Sequence, residues 1–168
     1  MKKLLIIFLV ITLASLTACG TAKEFKDGTA CEEILNAVVE ATEHPDSDKL
    51  YLKSEDNLDS SSFSLWVDGL YQESDELDLF SDYAIFVSAG TTTYEIAVLK
   101  ASENGSTDKL ISVFERRKET LTLGDKGMYD PKFDMRISSS KIEVAGDIVI
   151  LLITDDNDAA LKALENLK

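Results

Sequence analysis

Apolar residues recur along the chain with two periods, and the switches between them mark its elements. Ile34, Leu35, Val38, Val39 and Ala41 fall at helical spacing behind Thr29-Ala30-Cys31-Glu32, a threonine followed three residues later by a glutamate. That spacing lets the two side chains cap a helix start reciprocally, so it predicts a helix over residues 30–43. His44-Pro45 ends it, because proline disfavours helical geometry in the residue before it. The acidic, serine-rich stretch 46–62 has only Leu50-Tyr51-Leu52 as consecutive apolar residues and reads as loop. Phe63, Trp66, Val67 and Leu70 then stand at i, i+3, i+4 and i+7, which predicts a short second helix.

From Tyr83 the pattern changes. Residues 83–89 and 94–100 are rich in β-branched and aromatic side chains, with Gly90-Thr-Thr-Thr93 between them, and they read as a hairpin. Asn104-Gly105 is a turn, after which Ser106 or Thr107 caps a helix carrying Leu110, Val113, Phe114 and Leu121 inward. A loop follows over residues 124–133. Lys141-Ile-Glu-Val-Ala145 alternates, Gly146-Asp147 turns, and Ile148–Ile153 is an unbroken apolar run that predicts a strand buried on both faces. Ala160, Leu161, Leu164 and Leu167 give a closing helix one apolar stripe. The expected class is α+β: tandem ββα units forming a four-stranded, mainly antiparallel sheet with helices on one face, preceded by N-terminal helices and a signal peptide.

The first twenty residues fix where such a domain resides. Lys2 and Lys3 precede thirteen uncharged, mostly apolar residues, Leu4–Leu16, and Leu16-Thr17-Ala18-Cys19 follows at once. Thirteen residues engage the export machinery but fall short of the roughly 20 that span a bilayer as a helix. The order resembles a bacterial lipoprotein signal peptide with its lipobox. The resemblance implies cleavage before Cys19, diacylglycerol on its sulfur, and a new amino terminus open to acylation, as by palmitate. The division expected is a signal peptide over residues 1–18, a lipidated tether over 19–28 and one extracytoplasmic domain over 29–168. With Cys19 lipidated, Cys31 is the one thiol left, which excludes an internal disulfide. Its place on the apolar stripe of the first helix favours a buried thiol over a reactive one.

The 168 residues carry 31 acids against 17 bases, a net charge of −14. Loss of Lys2 and Lys3 leaves 15 bases and a charge of −16. Such a domain is repelled by an anionic lipid surface and lacks the basic patch that nucleic acid requires. A hydrophobic content of 45% still supports a packed core, so the acidity does not signal disorder. Arg116, Arg117 and Lys118 are the one cluster of cations, read as complementing the C-terminal end of their helix, with an anion site as the alternative.

Several short motifs recur together in one family. The hairpin entering Glu95-Ile-Ala-Val-Leu-Lys100, a helix carrying Arg116 or Arg117, the loop Tyr129-Asp130-Pro131, and Gly146–Ile153 before a last helix resemble the small Firmicutes-type lipoproteins that carry the domain of unknown function 4358. The likeness runs from Thr29 to Lys168. It implies an exported lipoprotein domain with no assigned activity and brings no catalytic residue with it.

The residues themselves point away from catalysis. His44 is the one histidine, in a Pro- and Asp-rich loop without a nucleophile-elbow pattern, and it reads as a surface residue. Zinc needs several His or Cys ligands, and His44 and Cys31 are too few. Asp155-Asp156-Asn157-Asp158 lacks the glycine and distal glutamate of a calcium loop and reads as a helix cap. No glycine-rich stretch has phosphate-loop spacing, so no cofactor is expected. The expected function is a non-catalytic binding or accessory module, attached to the membrane through lipid on Cys19 and meeting a cell-envelope protein or a cationic ligand. The alternatives are a solute-capturing lipoprotein that serves a transporter and a carboxylate-dependent envelope hydrolase.

Overall fold

The structure is a computed structural model that describes residues 24–45, 48–89, 91–124 and 126–168. The expected signal peptide and Cys19 lie outside the described residues. The elements in chain order are α1 (Cys31–Ala41), β1 (Asp48–Leu52), α2 (Ser60–Asp68), β2 (Phe80–Ser88), β3 (Glu95–Ala101), α3 (Thr107–Leu123), α4 (Lys126–Tyr129), α5 (Phe133–Ser139), β4 (Lys141–Ala145), β5 (Ile148–Ile153) and α6 (Asn157–Leu167). Single 3-10 turns at Lys53–Glu55 and Glu76–Leu79 flank α2. The class is α+β. The sheet is open and antiparallel at every pairing, in the order β1-β2-β3-β5-β4.

Two expectations about the sheet are corrected. It has five strands, because Leu50-Tyr51-Leu52 and the two residues before them pair along β2, Asp48 with Ser88 through Leu52 with Ala84. Helices cover both faces instead of one. Successive side chains of a strand point to opposite faces, and β2, β3 and β5 are apolar at consecutive positions, so each face needs its own cover. Ala84, Phe86, Ile96, Val98, Ile150 and Leu152 pack with α1 and α6. Ile85, Ala97, Leu99, Val149, Leu151 and Ile153 pack with α2 and α3. All six residues of β5 are buried, as a strand enclosed between two helical layers requires.

The cap of α1 is also corrected. The helix starts one residue later than the capping box needs, with Ala30 at the N-cap, and the Thr29 hydroxyl donates to the Lys26 carbonyl. The Cys31 N–H instead donates to the Asp82 carboxylate of β2 at 2.9 Å, so the helix is capped from the sheet. By contrast α2, α3 and α6 carry local caps, from Asp59, Ser106 and Asp156. The expected loop 124–133 contains α4 and leads straight into α5.

Glycine is indispensable at two turns. Gly146, with φ of +63°, opens the two-residue turn between β4 and β5, where a II′ hairpin places glycine. Gly105 lies so close to the 3-10 turn at Glu76–Leu79 that a Cβ there would stand 1.9 Å from the Leu79 carbonyl oxygen.

The described part of the expected tether packs on the fold. Phe25 is buried in the α1/α6 core, and residues 24–28 line a cleft with Lys100 and the turn Gly146-Asp147. The chain therefore enters at the sheet end formed by the close of β3 and the β4–β5 turn.

Candidate functional site

The opposite end of the sheet gathers the buried charges. Glu95 opens β3 opposite Val87 of β2 and Ile153 of β5, on the face covered by α2 and α3. A carboxylate there is tolerable only when its oxygens are satisfied. Arg117 of α3 supplies most of what it needs: Nε stands 3.0 and 3.1 Å from the two carboxylate oxygens and Nη2 stands 2.6 Å from Oε2. The Trp66 indole N–H of α2 donates to Oε1 at 2.8 Å, and Arg117 Nη1 donates to the Trp66 carbonyl at 2.7 Å. The guanidinium carbon lies 5.9 Å from the Trp66 ring centroid. Glu95 is 1% exposed and Arg117 7%, so three elements are locked by a pair almost closed to water.

A second network lies beyond the first residue of β3. Asp130 Oδ2 accepts from the Thr93 N–H at 2.8 Å, the Thr93 hydroxyl at 2.6 Å and Arg136 Nη1 at 2.8 Å. Its Oδ1 accepts from the Lys132 N–H at 3.0 Å. Arg136 Nε and Lys132 Nζ each donate to Asp155, just past β5. Burial pushes the Asp130 carboxyl upward, but the bonds from Thr93 and Lys132 and the Arg136 charge outweigh it and hold it below the usual aspartate range. Asp155 is lowered against the same burial effect by hydrogen bonds from Arg136 and Lys132. The exposed side chains of Leu123, Met128, Tyr129 and Met135 surround this network in sequence.

Beside the first network opens a cleft of about 160 Å³ lined by Lys49, Tyr51, Ser62, Leu65, Trp66, Val87 and Arg117. Lys49 and Tyr51 come from β1, facing Val87 and Ile85 across the ladder. The strand missed in the sequence thus forms one wall.

The cations Arg116 and Arg117 do not complement the end of their helix, which runs on to Leu123 and has no basic residue in its last turn. Arg117 faces the sheet, while Arg116 bonds Asp68 at the end of α2 and Glu76 in the following 3-10 turn. Lys118 pairs with Glu115. His44 is exposed, with Nδ1 3.0 Å from the Pro45 carbonyl and its ring against Phe86 and Tyr94. Cys31 is buried, and burial first, with Asp82 second, pushes its thiol far above the ordinary range. In the acidic run, Asp156 caps α6 and Asp155 serves the Arg136 network. No group of three or more His, Cys, Asp or Glu among the described residues could hold a metal ion.

Sequence reasoning passed over Glu95 and Trp66 as strand and core residues. The available signal was a lone acid within the apolar run Tyr94–Leu99, which demands a buried cation somewhere in the chain. Glu95, Arg117 and Asp130 are all buried at one end of the sheet. No family model, curated protein or solved structure matches the chain.

Proposed function

We propose that the chain is a lipid-anchored extracytoplasmic lipoprotein, of the kind that carries the domain of unknown function 4358, acting as a non-catalytic binding or accessory module of the cell envelope. The observation that carries the reading is Leu16-Thr17-Ala18-Cys19 directly after an uncharged apolar run with lysines before it. Two acyl signals on Cys19 suffice for stable attachment, each buried methylene contributing about 0.8 kcal/mol. In fold terms, β2-β3-α3 and β4-β5-α6 are read as two ββα units to which α1, β1 and α2 are added.

The accessory role is supported by how the buried acids are used. Glu95 and Asp130 are bound by arginines and by N–H donors, an arrangement suited to holding α2, α3 and α5 in place and unsuited to exchanging protons with a substrate. The rigid end they create carries exposed Met128, Tyr129 and Met135, which suit contact with an envelope protein. The strongly acidic surface also suits a cationic partner.

The test is labelled palmitate incorporation and membrane fractionation of the wild type and Cys19→Ala, followed by crosslinking in intact cells. Label and membrane attachment lost in the variant, together with one reproducible envelope partner that disappears with them, is the expected result. A Cys19→Ala chain that still incorporates label and stays on the membrane overturns the anchor.

A further inference from the structure

We propose that the cleft between β1 and α2 is a binding site for a small organic carboxylate with a flat apolar body. The chemistry starts at Arg117. A guanidinium has five N–H groups. Glu95 and the Trp66 carbonyl occupy three of them: the one on Nε, one on Nη1 and one on Nη2. The second N–H on each Nη atom has no acceptor among the described residues, although the residue is 7% exposed and borders the cleft. Donors left without an acceptor at a nearly closed site are costly, and an incoming acceptor relieves that cost. A planar carboxylate matches two neighbouring guanidinium N–H groups better than any other common anion.

The walls define the rest of the ligand. Lys49, exposed at the rim, makes no ion pair with a described residue and adds a second positive charge, while Ser62 offers a hydroxyl. Tyr51, Leu65, Trp66 and Val87 form an apolar slot. A volume of about 160 Å³ is close to that of an apolar protein cavity that holds one benzene molecule. Phosphate fits less well, because a second negative charge would face Glu95 and it has nothing to place between Trp66 and Leu65. The site also takes the opposite sign of ligand from the one the net charge suggests. At physiological salt the distant acids are screened beyond roughly 8 Å, and with Glu95 offsetting the charge of Arg117 the net positive charge of the cleft comes from Lys49. This binding does not depend on anchoring, so its failure and the failure of the lipoprotein reading show in separate experiments.

Trp66 is the sole tryptophan of the chain and lines the cleft, so both its emission and its single indole N–H resonance report from inside the site. The full processed chain in detergent is titrated with benzoate, with benzyl alcohol as the uncharged isostere and inorganic phosphate as the other anion. A saturable shift of the indole resonance and of the emission with benzoate alone is expected. Lys49→Glu, which changes an exposed side chain and leaves the buried pair intact, should weaken benzoate about fivefold or more. No saturable response, an equal response to benzyl alcohol or phosphate, or unchanged affinity in Lys49→Glu overturns the proposal.

Discussion

Arg117 and Glu95 show how much one buried pair can ask of its surroundings. Neither residue is tolerable in that place alone, and their hydrogen bonds tie α3 to β3, α3 to α2 and α2 to β3. Removing one partner strands the other's charge away from water, a loss of about 3–5 kcal/mol, whereas replacing both with apolar residues is often close to neutral. Arg117→Met should therefore lower the urea midpoint steeply, and Glu95→Leu combined with Arg117→Met should recover most of the loss. If the double variant is as unstable as the sum of the singles, the pair is not a unit of stability. The residue scale is also where the sequence was least legible. An acid inside Tyr94–Leu99 announces that a buried cation exists, but Arg116 and Arg117 are adjacent and chemically alike. Only the rotation of α3 decides that one binds Glu95 and the other reaches Asp68 and Glu76.

At the level of elements, periodicity carried far because it has a direct physical cause. The apolar stripes of α1, α3 and α6 and the double-faced β5 were legible, since each must bury what it shows. The count of faces was not. Consecutive apolar positions in β2, β3 and β5 are the same whether helices lie on one side and a partner on the other, or on both, and the loops decide. β1 escaped notice because an edge strand of five residues with a single buried side chain has almost no pattern of its own. Its structure comes from β2. The network of Asp130, Arg136 and Asp155 binds elements in the same way, joining α5 to the start of β3 and the end of β5, and it makes stability depend on pH with a defined sign. Both carboxyls sit below their ordinary values when folded. Their contribution is then complete above the unfolded-chain value of about 4 and is lost as pH falls through the lower folded values. The urea midpoint of the wild type should drop in that acid window more than that of Asp130→Asn. Parallel curves for the two proteins would sink the assignment.

For the whole molecule, what matters is that the two ends of the sheet differ. Glu24–Gly28, Lys100 and Gly146-Asp147 lie at one end, and Glu95, the cleft and the Asp130 network lie at the other. The five residue steps from Glu95 to Lys100 separate them by about 17 Å at the rise of a β-strand. Phe25 is already part of the core, so the stretch from Cys19 to Phe25 reaches about 20 Å at most when extended. Under the proposed anchoring through Cys19, a short leash attached at one end of a domain that would carry −16 predicts an orientation: the anionic surface repels the body while the tether holds the Gly146 end nearest the lipid. The proposed carboxylate cleft and exposed Met128 would then point away from the membrane, where soluble ligands and envelope proteins can reach them. The orientation can be measured in liposomes with the native lipid on Cys19, using a fluorophore on Asp147→Cys or on Met128→Cys and a quencher fixed to the lipid headgroups. Cys31 stays unlabelled because it is buried with its thiol held protonated. Quenching should be strong at position 147 and weak at position 128, and raising the salt should narrow the difference as the repulsion is screened. Equal quenching at both positions at low salt would mean that the domain tumbles freely on its tether, and stronger quenching at 128 would mean that its apolar end lies on the membrane.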